Sequence, residues 1–76
     1  MADQLLDAMG LLCPLPVLKA RKRLAELKPG QLLEILTDDP GAPDDLGLLC
    51  QLKGHRMVSQ ESLEGGGWVI RIERAG

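Results

Sequence analysis

Two prolines dictate where the first helix of this chain can begin. Pro14 and Pro16 sit in residues 10–17, "GLLCPLPV", directly ahead of "LKARKRLAEL", whose apolar residues recur at helical spacing. Inside a helix, proline lacks the ladder N–H and clashes with the preceding turn, at a cost of roughly 3 kcal/mol or more. In the first turn that penalty vanishes, because those N–H groups have no intrahelical acceptor. The spacing therefore predicts a helix over 14–28, with Cys13 at its N-cap, Pro14 at the first position and Pro16 at the third. Both rings stiffen the turn, and Pro14 keeps Cys13 itself out of the helical region.

Periodicity places the other elements. Gln4–Ala8, "QLLDA", is a short apolar segment leading to a turn at Gly10 and reads as a strand. In the first helix Val17, Ala20, Leu24 and Leu27 form one apolar stripe, and Lys19, Lys22, Arg23 and Glu26 recur opposite it. Pro29-Gly30 ends that helix. Residues 31–37, "QLLEILT", have the length and composition of a well-covered strand. "DDPGAPDD" then turns into a second helix over 42–53, its acids lying where the positive helix end favours them. Leu46, Leu48, Leu49, Cys50 and Leu52 predict a broad apolar face for this helix, and Gly54 its C-cap. Residues 56–63 and 68–74 read as two strands joined by "EGGG", a hairpin signal. The order βαβαββ predicts an α/β (α+β) two-layer sandwich, a mixed four-stranded sheet with two helices on one face. Its first two strands should be parallel, joined by a right-handed crossover.

Composition narrows the function. With 76 residues the chain is a single domain, 1–76, near the smallest size at which an unaided core suffices. A hydrophobic share of 45% makes it globular. The absence of Phe and Tyr removes a stacking platform for single-stranded nucleic acid, and a net charge of -2 argues against a DNA-binding module. "MADQLLDAMG" has no basic region ahead of an apolar run and is not a signal peptide. No run reaches the roughly 18 apolar residues of a membrane span. Two cysteines without a targeting signal point to a reducing cytoplasm and to no membrane partner.

Cys13 is the candidate reactive group. A thiol at a helix N-cap feels the positive end of the dipole, which should lower its pKa and favour the nucleophilic thiolate. The competing reading is a buried structural cysteine at a strand–helix junction, and the physics of the stretch leaves both open. Cys50, at the margin of the second apolar face, reads as core or core edge. If both crossovers are right-handed the helices are parallel, and Cys50 lies about 12 Å further along than the Cys13 end. A disulfide needs Cα atoms within about 7 Å, so these two should not pair. The same separation argues against a metal site of Cys13, Cys50 and His55, and no pair of ligands has zinc-like spacing. His55, following a C-cap glycine, reads as a helix-end residue rather than a base. The run "KARKR" at 19–23 is either a solvated face or a strip whose Lys19, Lys22 and Arg23 steer anionic partners toward the sulfur. Leu12 and Leu15 flank the thiol as an apolar docking rim, while Leu11 is equally a core candidate.

"GLLCPLPVLKARKRL" resembles the signature of the TusA/SirA-like family of sulfur-carrier proteins, and the resemblance covers nearly the whole chain. Asp7 and Gly10 precede Cys13-Pro14-Leu15-Pro16, which is similar to the family's Cys-Pro-x-Pro motif. Pro29-Gly30, "TDDPG" at 37–41, and Cys50 with Gly54-His55 resemble further family features. The resemblance implies the fold of the C-terminal domain of translation initiation factor 3, with Gly10, Pro14 and Pro16 as structural motif residues. It also implies that Cys13 accepts sulfane sulfur as a persulfide and relays it with no metal or cofactor. The donor would be a cysteine desulfurase or rhodanese-type protein and the acceptor a DsrE/TusD-like protein. Such a carrier is sulfurtransferase-type and acts with partner enzymes in oxidative sulfur metabolism, molybdenum-cofactor sulfur supply or tRNA thiolation. Leu12 stands where the family often has a basic residue, and Leu15 where the branch serving tRNA 2-thiouridine carries Glu; any tRNA contact is therefore expected to be indirect. The alternative is a non-catalytic regulatory or RNA-binding module, which would use the basic first helix and need no free thiol.

Overall fold

In the computed structural model, which describes residues 2–75, the chain runs β1 (Gln4–Ala8), α1 (Leu15–Glu26), β2 (Leu32–Thr37), α2 (Ala42–Lys53), β3 (Arg56–Ser62) and β4 (Trp68–Glu73). These are the elements and the order that the pattern predicts. The four strands lie in the order β1-β2-β4-β3. β1 pairs parallel with β2, and β4 runs antiparallel to both β2 and β3.

Strand side chains alternate, so each strand offers one face to the helices. Leu6 and Ala8 of β1, Leu33 and Ile35 of β2, and Ile70 and Ile72 of β4 form the sheet half of the core. Ala20 and Leu24 of α1, Leu27 at its C-cap, and Leu46, Leu49 and Cys50 of α2 form the other half. The opposite sheet face carries a row of Leu5, Glu34, Arg71 and Ser59 in register across four strands, polar in all but Leu5. Arg71 Nε donates to Glu34 Oε1 at 2.8 Å, and its Nη1 donates to Ser59 Oγ at 3.2 Å. The run predicted as a well-covered strand is therefore covered on one side only. Leu33, Ile35 and Thr37 are buried, and Leu32, Glu34 and Leu36 are half-buried.

The second helix also differs from its sequence reading. Leu46, Leu49 and Cys50 are buried as expected, but Leu48 is 53% and Leu52 74% exposed. These two stand one turn apart on the side turned away from the sheet, where no other element covers them. Among the described residues, no helix is long and apolar enough to cross a membrane.

One loop position has no freedom. The β3–β4 hairpin closes with the Leu63 N–H donating to Gly67 O at 2.9 Å. Gly67 has φ +93°, and a Cβ there would stand 2.7 Å from Thr37 O, a backbone atom that cannot yield. Gly65 has φ +89° and open space around it. Gly65→Ala should therefore cost only the left-handed backbone strain, roughly 1–2 kcal/mol. Gly67→Ala adds a steric clash and should cost about 3 kcal/mol or more, read as the difference in urea unfolding free energy. Equal destabilisation by the two substitutions would contradict this close approach.

Candidate active site

Because β1 and β2 are parallel, both end on the same edge of the sheet, and the helix that follows each begins there. That edge brings the β1–α1 loop against the β2–α2 turn. Gly10, at φ +81°, makes the bend out of β1, and its N–H donates to Asp38 Oδ1 at 2.9 Å. Three residues on, the Cys13 N–H donates to Asp39 Oδ2 at 3.0 Å. Asp39 is buried and holds its own turn as well. Its N–H donates to Thr37 Oγ1 at 3.3 Å, and its Oδ1 accepts from the Gly41 N–H at 3.4 Å. Two adjacent carboxylates thus fasten the cysteine loop from 26 and 28 residues away.

The helix starts one residue later than the prolines alone suggest. The Leu15 N–H donates to Leu12 O at 2.9 Å, so Cys13 and Pro14 are the central residues of a turn, and the Cys13–Pro14 peptide is cis. Pro14, not Cys13, is the N-cap, and its carbonyl accepts from the Leu18 N–H at 3.0 Å. Pro16 therefore falls at the second helical position, where its missing N–H still costs nothing, and its ring is fully buried.

Cys13 is exposed, which removes the buried structural reading, and its Sγ donates to Asp45 Oδ2 at 3.4 Å. Asp45 belongs to the first turn of α2. The expected acidification of the thiol is not what this geometry produces. The hydrogen bond to Asp45 raises the Cys13 pKa above its ordinary value, helped by desolvation and by the negative charges of Asp45 and Asp39. The Asp45 bond is the largest of these effects because a carboxylate acceptor stabilises S–H and repels S⁻. Moved one residue beyond the N-cap and faced by two carboxylates, the sulfur loses the benefit of the helix dipole.

Beside the thiol the two helices leave an apolar cavity of about 370 Å³. Pro14, Val17, Leu18, Leu48, Leu49 and Leu52 line it, with Asp45 toward Cys13 and Arg21 and Lys53 also on its wall. Leu12 and Leu15 are exposed as the sequence suggests, at 68% and 45%, and Leu18 is exposed at 51%. Leu11 is packed against the core. Of the basic run, Lys19 and Lys22 are exposed. Arg23 instead leans on β1, where its Nη1 donates to Gln4 Oε1 at 3.4 Å and to Leu5 O at 3.5 Å.

Cys50 is buried in the core, and both cysteines are free. His55 sits beyond Gly54, a C-cap at φ +76°, and its Nδ1 accepts from the Ala75 N–H at 2.9 Å. The candidate site is thus Cys13 with Asp38, Asp39 and Asp45, acids that the sequence presents as helix-dipole partners and, at 38 and 39, as part of the family-like "TDDPG". A signal was available, since two parallel strands must deliver both following helix starts to one edge.

The family model described as sulfurtransferase TusA matches residues 4–74. The sulfur carrier protein TusA of Allochromatium vinosum is 43% identical over 73 residues, covering 96% of this chain and 95% of that protein. A relative from Archaeoglobus fulgidus is 45% identical over 60 residues, 79% of this chain and 78% of its own length. Among solved structures, the SirA-like protein of Desulfitobacterium hafniense superposes with a TM-score of 0.85 at 27% identity, over 96% of this chain and 99% of the other.

The geometry around the sulfur makes a prediction with a definite sign. Asp45→Asn removes the charge and supplies an amide that can donate to the thiolate, so the Cys13 pKa should fall. Thiolate absorbance followed against pH would show the titration moving down, and alkylation at neutral pH should quicken. A titration that stays in place or rises would mean that Asp45 does not govern this thiol.

Proposed function

Since this chain belongs to the TusA sulfurtransferase family, we propose that it is a sulfur carrier that takes sulfane sulfur onto Cys13 and passes it to an acceptor protein. The observation that carries this reading is the placement of Cys13, an exposed thiol on a fastened loop beside an apolar rim. A docked donor brings a persulfide to that sulfur. As Cys13 Sγ attacks the terminal sulfur, its proton passes to Asp45 Oδ2, the Sγ–S bond forms and the donor's S–S bond breaks. The departing donor thiolate then takes the proton, so the exchange is balanced with no net oxidation. Delivery is the same reaction in reverse, with the acceptor's thiol attacking the outer sulfur of the Cys13 persulfide. Neither step calls for a metal or a cofactor.

Asp45 gives this cycle a resting state. A thiol whose proton points at a carboxylate is a poor nucleophile, and thiolate character is what invites stray oxidation. Docking that buries Asp45 would raise the proton affinity of its carboxylate, so that it takes the thiol proton only when a partner is present. Gly10, Pro14 and Pro16 act as the structural frame of this loop. Leu12 and Leu15 extend into Leu18, Leu48 and Leu52 as the docking surface, with Lys19 and Lys22 at its side. Arg23 serves the α1–β1 contact as much as docking, given its bonds to Gln4 and Leu5.

Two experiments test the reading. Incubated with a sulfane-sulfur donor, the wild-type chain should gain the mass of one sulfur atom, removable by a reductant. Cys13→Ser should stay folded and gain nothing, because a hydroxyl cannot hold sulfane sulfur. Cys50→Ser should lose about 1–3 kcal/mol of stability if its buried hydroxyl finds no partner, yet still load at Cys13. Loading that survives in Cys13→Ser would defeat the proposal. For the docking surface, Leu18→Glu combined with Leu52→Glu should leave stability within about 1 kcal/mol, because both side chains are exposed. Transfer from a protein donor should fall by about tenfold or more. Unaltered transfer would return these leucines to the solvent.

A further inference from the structure

The edge of the sheet away from Cys13 collects a different chemistry. There α2 ends, β3 begins at Arg56, and β4 ends at Glu73, its register partner. A cavity of about 350 Å³ at this end is lined by Arg21, Ala25, Lys53, His55, Arg74 and Ala75. Four of these six residues carry nitrogen donors, and none is an acid. They come from α1, from the last turn of α2, from the residue before β3 and from the residue after β4. Among the described residues, Arg21, Lys53 and Arg74 take part in none of the ion pairs, which involve only Arg56 and Arg71.

Arg74 is held in place rather than waving in solvent. Its Nη1 donates to Leu27 O at 2.6 Å, and its N–H and carbonyl bond Gln31 and Gly30 at 2.9 Å. Its Nε is nevertheless buried with no acceptor. A buried orphan donor is costly and uncommon in native proteins, so it calls for a partner. His55 points the same way. With Nδ1 accepting from the Ala75 N–H, the neutral ring carries its proton on Nε2, a second donor nitrogen. Burial lowers the His55 pKa, and the charges of Arg74 and Lys53 lower it further, so these groups share a positive field. Helix C-termini attract cations, which accounts for Lys53 and for the Arg74 bond to Leu27 O. They account for neither Arg21, in the middle of α1, nor the unpartnered Nε.

We propose that this cavity is a binding site for a small tetrahedral oxyanion of the sulfate or phosphate kind, held by Arg21, Lys53, His55 and Arg74. Such an anion offers several acceptors to the guanidinium, ammonium and imidazole donors, and charge-assisted bonds of this kind are the strong ones. It adjoins the apolar cavity, sharing Arg21 and Lys53 with it, on the side away from Cys13, and it does not depend on the sulfur-carrier reading.

The chain holds a single histidine, so His55 reports on its own cavity without ambiguity. Its imidazole resonances would be followed by NMR as sulfate, which does not titrate in the histidine range, replaces chloride at constant ionic strength. Sulfate should move the His55 signals saturably and raise its pKa, because a bound anion offsets the field of Arg74 and Lys53. Inorganic phosphate should compete for the same site. Lys53→Ala and Arg21→Ala, both exposed positions, should each weaken sulfate binding by about tenfold while the remaining spectrum stays native. A response no different from chloride, or binding undiminished in both variants, would overturn the proposal. So would saturation by a short oligonucleotide but by neither free anion, which would make this a nucleic-acid surface instead.

Discussion

The parallel ladder between β1 and β2 is the constraint on which the rest of this molecule depends. Parallel neighbours share a carboxyl edge, so the loops leaving them are neighbours too. From that one pairing follow the meeting of Cys13 with Asp39 and Asp45, the side-by-side start of α1 and α2, and the apolar cavity between them. β4 reinforces the arrangement by inserting between β2 and β3, which places both helices over one continuous core.

Within this frame the carboxylates have distinct duties. Asp38 and Asp39 accept backbone N–H groups of the cysteine loop and hold its shape. Asp45 accepts the thiol itself and sets its proton affinity. A helix terminus is a weak and local source of field, worth a fraction of a unit charge. The Asp45 hydrogen bond, helped by desolvation and by the charges of Asp45 and Asp39, outweighs it, so the sulfur rests protonated. For the proposed carrier role, that is a tolerable resting condition, since reactivity would be needed only when a partner covers the site.

The fold also separates charge along its length. Acids gather where the helices start, and Arg21, Lys53 and Arg74 gather toward the end where α2 and β4 finish. Between the two lies the exposed apolar strip of Leu18, Leu48 and Leu52. A partner lying along the helices would thus meet negative, apolar and positive surface in turn, an order that favours one orientation over its reverse.

Much of this was legible in the chain itself. Gly and Pro punctuate the element boundaries, and the spacing of Ala20 and Leu24 in α1 and of Leu46 and Leu49 in α2 marks the buried helix faces, because these signals act within a few residues. The prolines and the thiol marked the site by the same local logic. Tertiary structure alone decided which leucines of α2 stay in water, because a helix stripe has no fixed width until a sheet covers part of it. It alone also turned the Cys13 pKa upward. The dipole argument needs only neighbours in sequence, whereas Asp45 stands 32 residues away and reaches the sulfur only once β1 and β2 have paired.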